Sequence, residues 1–435
     1  MKTGHPTPSA SSPPVLSAPL PDAPAAAPRL EWLDALRGIA ALVVAFHHGS
    51  SEYLPRFRHE ILRFIDPGDC GVLLFFLVSG YIIPASLERA GSVRRFWIGR
   101  VFRIYPLLLL VLAVMLLLDR AGLKPLRAGT LASYDPSAAV AAHLTMMQDL
   151  LAVPNAINVL WTLSYEMVFY LLVVALFALG RLDRHSATIA TALSVGALTV
   201  AAVLPAAALS GRFGVTPVAL TAAGIMALAI GLACASRPWL WRTGAALGGL
   251  LAAVLVLGNS RVPVWQGLGL LAVMFAGTAI HRAERGHLSV RAAAVAVTAV
   301  AAALIGGGLW HIEVYAPGQT EEVLQRSWVI GIAVAGLAFA AGMALRNRRL
   351  PRWLLRLGLI SYSVYLVHPV VLTIFNIALG RPSTDTPLML VPYLVAVLVI
   401  SNVTYRYAEA PCQRFGRRLA RRQRVRPGSP AGNRA

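Results

Sequence analysis

Charge is what this 435-residue chain has least of: Asp, Glu, Lys and Arg together make up only 13% of it. A soluble domain carries about a quarter, so this chain lacks the polar surface to cover itself in water. Cysteine is also scarce. Cys70, Cys234 and Cys412 show neither metal-ligand spacing nor a disulfide logic, and they read as small apolar packing residues. These absences exclude a disulfide-rich secreted module, a disordered protein and a coiled coil. What is present is apolar: 57% hydrophobic residues and a mean hydropathy of +0.66. Lipid is the solvent this composition requires.

Acidic residues are few as well, 19 against 39 basic ones, for a net charge of +20. That excess does not mark a nucleic-acid binder. Most of the basic residues fall in short gaps between apolar runs, where they orient a membrane protein. Residues 1–28, rich in Pro, Ala and Ser, read as a disordered tail. They are not a signal peptide, because prolines interrupt every stretch that could serve as its apolar core.

Twelve apolar segments follow, each near the ~20 residues a spanning helix needs. They cover 33–49, 70–88, 101–118, 158–180, 188–210, 217–235, 239–258, 264–281, 290–309, 327–345, 358–379 and 388–405. The expected fold is therefore all-α, a polytopic transmembrane bundle of about 10–12 spans. A membrane-embedded domain over 29–410 is followed by a basic cytoplasmic tail over 411–435. With a cytoplasmic N-terminus, 29 Lys and Arg fall on the inner side and 10 on the outer side. Both termini are thus expected in the cytoplasm, in a plasma (inner) membrane.

Ionisable groups inside spanning helices cost several kcal/mol and are functional candidates by default. They concentrate in the first four and the last two segments. In the first, Arg37 and His48 are eleven residues apart, about three turns, and share one face roughly 16 Å apart along the axis. His47 is rotated off that face, so His48 is the preferred working residue; a snorkelling Arg and an interfacial His are the bland alternative. In the third, Arg100 and Arg103 form an i, i+3 pair near Arg94 and Arg95, ahead of a Pro106 expected to open the helix. Two guanidinium forks suit phosphate oxygens, although a positive-inside anchor has the same composition. In the fourth, Asn158, Thr162 and Glu166 make an i, i+4, i+8 stripe, and the buried carboxylate needs a His or Arg partner or a proton. In the eleventh, Ser361, Tyr365 and His368 share a face, and His368 either shapes a ligand site or serves the helix's own packing.

Six segments in order carry a resemblance to a family: LDALRGIAALVVAFHH, CGVLLFFLVSGYIIPAS, RVFRIYP, LWTLSYEMVFYLL, ISYSVYLVHP and YRYAEAPCQRFGRRL. Together they resemble the bacterial integral-membrane acyltransferase family 3, over about 31–418. The family's Arg-then-ten-then-His motif falls on Arg37 and His48, and its Arg-x-x-Arg motif on Arg100 and Arg103. Its Glu in the LWTLS segment matches Glu166, while Met167 stands where a second acidic residue often follows.

The resemblance implies an acyl-CoA-dependent O-acyltransferase with no permanently bound cofactor and no metal. Acyl-CoA, acetyl-CoA in the first instance, would be the co-substrate. Arg37, Arg100 and Arg103 would hold it. His48 and Glu166 would be catalytic, His48 as the base for a hydroxyl with Glu166 orienting it, and Tyr365 and His368 would contact substrate. Expected partners are membrane lipid, acyl-CoA and an acceptor that is a glycan, a lipid-linked sugar or a secondary metabolite. The rival from another class is a transporter or flippase of lipid-linked sugars or small molecules. Against it stand the lack of an evident inverted repeat and the clustering of polar residues at the chain ends.

Overall fold

The computed structural model describes residues 31–422 except 201–203, 317 and 319, with only the backbone for 127, 128, 183, 184, 200 and 422. Its α-helices begin with α1 (Glu31–Tyr53), α2 (Pro55–Leu62), α3 (Pro67–Ala90), α4 (Val93–Arg120), α5 (Pro136–Thr145) and α6 (Trp161–Ala178). Next come α7 (Leu182–Val200), α8 (Ala208–Phe213), α9 (Val215–Ala233), α10 (Pro238–Gly258), α11 (Val264–Glu284) and α12 (Val290–Tyr315). The last are α13 (Glu321–Ala344), α14 (Arg352–Leu359), α15 (Ser361–Leu379), α16 (Pro387–Thr404) and α17 (Ala410–Arg422). Among the described residues there is no strand.

The twelve apolar segments all reappear as helices: α1, α3, α4, α6, α7, α9 to α13, α15 and α16. Ten helices among the described residues are long and apolar enough to cross a membrane. α1 and α7 fall outside that set. α1 carries Glu31, Asp34, Arg37, His47, His48 and Glu52 along its length, and α7 opens on the polar run Asp183–Arg184–His185. The fifth segment also runs earlier than expected, starting at Leu182 and leaving the helix before Pro205, whose ring and missing N–H do not suit a helix interior.

Two further differences concern the ends of elements. Pro106 does not open the third span. α4 begins at Val93 and runs through it, as membrane helices tolerate. Asn158 lies in a 3-10 turn before α6, which takes it out of α-helical register with Thr162 and Glu166. At the other end, a π turn over Tyr405–Glu409 leads α16 straight into α17. The residues expected as a basic tail therefore start as helix. The 1–28 tail and residues 423–435 lie outside the described residues.

Leucines on the periphery face outward: Leu117 on α4, Leu228 on α9, Leu250 on α10, Leu337 on α13 and Leu388 on α16. That is the surface of a protein solvated by lipid. The interior is organised around α1, packed against α3 and α13 to α16, and around α11, packed against α3, α7 and α12. Small residues bring these helices together. A Cβ on Gly80 of α3 would collide with the Met274 carbonyl of α11, and one on Gly277 with the Leu77 carbonyl. Thr278 Oγ1 donates to the Gly80 carbonyl at 2.8 Å, so backbone contact replaces side-chain packing, as in close membrane crossings. Gly38 and Gly358 do the same for α1 and α14, where a Cβ on Gly38 would come within 2.7 Å of the Gly358 nitrogen. α14 is thereby held against α1 beside Arg37.

Short turns set the rest. Asp66 caps α3, accepting from the Gly68 and Asp69 backbone N–H groups at 2.7 and 3.4 Å, with Pro67 at the first helical position. Gly91, at φ 60°, closes α3, and the chain turns at once into α4. This tight α3–α4 hairpin brings Arg89 and Arg95 to the same end of the bundle as Arg100 and Arg103.

Candidate active site

α1 carries Arg37 toward one end of the bundle and His48 toward the other, and a polar pocket lies at each end. At the far end of α1, a cavity of about 450 Å³ is lined by His48, Glu52, Lys124, Asn155, Asn158 and Asn376 among others. At the near end, a cavity of about 430 Å³ is lined by six arginines: Arg89, Arg95, Arg100, Arg103, Arg417 and Arg421.

His48 meets His368 of α15. His48 Nδ1 is 3.0 Å from His368 Nε2, and the rings stack with centroids 5.1 Å apart and planes 22° apart. His368 Nδ1 lies 3.0 Å from the Val364 carbonyl, which can only accept. The Tyr365 carbonyl, left without its helical donor by Pro369, lies alongside. This chain of contacts assigns the tautomers. His368 carries its proton on Nδ1, its Nε2 accepts, and His48 therefore carries its proton on Nδ1. The Nε2 of His48 is left with a free lone pair on a side chain that lines the pocket.

His47, one residue earlier, does other work. Its Nδ1 is 2.9 Å from Asp66 Oδ1, and Arg58 Nη1 donates to the His47 carbonyl at 3.0 Å. Burial would raise the Asp66 carboxyl, but hydrogen bonding and charge from His47, the Gly68 N–H and the Arg58 charge hold it below its ordinary value. Deeper in the connection before α6, burial pushes the Asp149 carboxyl up to about 6, against the opposing pull of Arg261.

At the arginine end, Arg100 is buried. Its Nη2 donates to Ser86 Oγ at 2.7 Å, and its guanidinium lies over the rings of Phe96 and Tyr170 at 5.1 and 5.2 Å. Arg103 is half-buried beside it. Arg37 does not line this pocket. It is buried over the Phe75 ring at 5.4 Å, within electrostatic range of Arg103, Glu166 and Asp34.

Glu166 also stands apart from the histidine. It accepts a short hydrogen bond from Tyr170, and among the described residues no hydrogen bond joins it to His48. It lies within electrostatic range of Arg37. Tyr365 and His368, expected to contact substrate, are both buried and are not among the residues that line the pocket, although Pro369 next to His368 is. The Tyr365 hydroxyl is bonded to Thr162 Oγ1 at 2.7 Å and donates to the Val159 carbonyl at 3.2 Å. It ties α15 to the start of α6, while His368 touches His48.

Sequence reading missed Glu409. This buried carboxylate in the π turn after α16 accepts a short hydrogen bond from Ser363 of α15 and lies within electrostatic range of Arg103 and Arg37. The signal was a lone acidic residue directly after an apolar span, in the segment YRYAEAP. Arg417 and Arg421 were missed as pocket residues because only the packing of α17 against α4 brings them there. Among the described residues no group of three or more His, Cys, Asp or Glu is placed to hold a metal ion.

BcsY of Komagataeibacter xylinus, named for a membrane-bound transacylase role, is 27% identical over 390 residues, 86% of this chain and 80% of its own length. Nodulation protein 10 of Rhizobium leguminosarum bv. viciae is 30% identical over 136 residues, 28% of this chain and 37% of its own. The acyltransferase MdmB of Streptomyces mycarofaciens is 30% identical over 150 residues, 33% of this chain and 38% of its own. No solved structure matches. The family model described as an acyltransferase domain matches residues 30–406, which is most of the helical bundle and leaves out α17. The chain belongs to the membrane acyltransferases of acyltransferase family 3.

Proposed function

We propose that this acyltransferase moves an acyl group, acetyl in the first instance, from cytoplasmic acyl-CoA to a hydroxyl of a carbohydrate or small-molecule acceptor. One observation carries the reading: a histidine with a lone pair in a polar pocket and an arginine-lined pocket lie at opposite ends of the bundle. Acyl-CoA is made in the cytoplasm and its charged phosphates do not cross lipid. Its phosphates would therefore sit on Arg100 and Arg103, with the pantetheine arm reaching along the bundle toward His48.

The acceptor would enter the pocket at the other end. His48 Nε2 takes the proton of the acceptor hydroxyl as its oxygen attacks the thioester carbon. The C–S bond breaks, the thiolate leaves, and the proton on His48 passes to the sulfur. His368 Nε2, accepting from His48 Nδ1 at 3.0 Å, keeps the base in the required tautomer and steadies the imidazolium while it exists. Arg37, near Glu166 and Glu409, supplies a buried positive charge along the route. The same reading places the arginine end, with both termini, in the cytoplasm of a plasma membrane.

The test is comparative mass spectrometry of envelope glycans, lipids and small molecules. It compares a deletion strain, the strain carrying wild type, and the strain carrying His48→Ala at equal membrane abundance. The expected result is an acyl-sized mass that returns with wild type alone; its return with both proteins removes His48 as the base. Two polar pockets at opposite ends also suit a transporter or flippase, and solute movement without CoA dependence and without any acylated product would favour that reading.

A further inference from the structure

Arg100 and Arg103 enclose only one side of their pocket; the other side is α17. Gly416 lets α17 lie flat on α4, since a Cβ there would come within 2.7 Å of the Phe102 Cβ, and Phe415 packs edge-on to Phe102 with centroids 5.4 Å apart. This seating turns Arg417 and Arg421, an i, i+4 pair, toward the pocket, opposite Arg89 and Arg95 from the α3–α4 hairpin. No Asp or Glu is among the described residues that line the cavity.

Four of the six arginines form two pairs at different depths. Arg100 is buried and Arg103 half-buried; both lie within electrostatic range of Tyr170, the hydrogen-bond donor to Glu166, and Arg103 also of Glu409. Arg417 and Arg421 are exposed at the mouth. Like charges at i, i+4 repel, and an anion bound between the two guanidinium groups relieves that repulsion. Both pairs face one cavity, so a single ligand with two anionic groups can meet both.

We propose that Arg417 and Arg421 of α17 form a second phosphate subsite, which binds the 3′-phosphate of the CoA ribose while Arg100 and Arg103 hold the diphosphate. The inference rests on the acyl-CoA reading above. It follows the order of groups along the donor: the diphosphate is nearer the pantetheine arm, so it occupies the deeper pair, and the 3′-phosphate remains at the mouth. α17 is then a specificity element for the donor.

The test needs no acceptor. Binding of CoA and of 3′-dephospho-CoA is measured by calorimetry on the full-length protein in nanodiscs of zwitterionic lipid, where no anionic headgroup competes. Wild type should bind CoA at least about tenfold more tightly than 3′-dephospho-CoA, the effect of about one charge-assisted contact. The Arg417→Gln/Arg421→Gln protein should bind CoA as weakly as wild type binds 3′-dephospho-CoA, and bind 3′-dephospho-CoA within about twofold of wild type. That second ligand reports whether the pocket has folded. Arg414→Gln/Arg418→Gln, on positions that do not line the cavity, should keep the discrimination. If wild type binds both ligands equally, or if the double variant loses both alike, the 3′-phosphate subsite is wrong and the donor reading stands. If wild type binds neither, the donor reading itself falls.

Discussion

His48 Nδ1 lies 3.0 Å from His368 Nε2, and that single contact decides which nitrogen of His48 can act as a base. Because the Val364 carbonyl accepts a hydrogen bond from the Nδ1–H of His368, the Nδ1–H of His48 points to His368 and its Nε2 lone pair is left for the pocket. A histidine here holds a histidine, where other acyl-transfer sites place a carboxylate. A neutral orienter fits a site lined by lipid-facing helices, where an unpaired carboxylate is costly.

The first prediction follows from that contact. His48→Ala should lower the transfer rate by about a hundred- to ten-thousand-fold, the range for a general base. His368→Ala should lower kcat by a smaller factor, about ten- to a hundredfold, with CoA binding unchanged. His368→Gln, whose amide oxygen can accept from His48 Nδ1, should recover part of the loss. Equal rates for the Ala and Gln proteins would mean that His368 acts by packing alone.

Arg100 joins charge, a hydrogen bond to Ser86 and two ring faces. Arg100→Lys should keep the charge but lose the fork and the flat stacking. CoA affinity should fall about tenfold for Lys and further for Gln. Titration calorimetry on purified protein reads both, and an unchanged affinity in the Gln protein would remove Arg100 from the donor site.

Gly80 sits against the Met274 backbone where no side chain can move aside. Gly80→Val should force α3 from α11 and sharply reduce the folded protein recovered from membranes. Gly99 is the control, since a Cβ there meets nothing within 4 Å. Gly99→Ala should give wild-type yield, and size-exclusion profiles of the two variants check the contrast.

Asp149 sets a pH dependence of stability. Its carboxyl is raised from 3.8 to about 6, chiefly by burial, and among the described residues its Oδ2 has no hydrogen-bond partner. The folded value lies above the unfolded one, so folding is favoured by protonation. That contribution is fully present below about 3.8 and is lost as pH rises through about 6. Asp149→Asn removes the titration. The thermal midpoint of the variant minus that of wild type should therefore increase from pH 4 to pH 7 and level off above it. A difference that stays flat over this range would show that Asp149 ionises in the folded protein as freely as in the unfolded one.

The sequence by itself determined the class of fold and the solvent. Twelve apolar segments of spanning length leave no other choice in a chain with 13% charged residues, because every backbone polar group in lipid must be paired within a helix. It also fixed the axial spacing of Arg37 and His48, since 1.5 Å per residue is a local property of the helix. Tertiary structure decided what those residues face. Helical periodicity gives a side chain's direction but not its partner. His368 is 320 residues from His48, and Glu409 is 46 from Ser363; both pairs exist only because α15 packs against α1 and against the turn after α16. The same holds for α17: as a sequence its arginines resemble any positive-inside tail, and only the seat of Gly416 on Phe102 makes Arg417 and Arg421 part of a pocket.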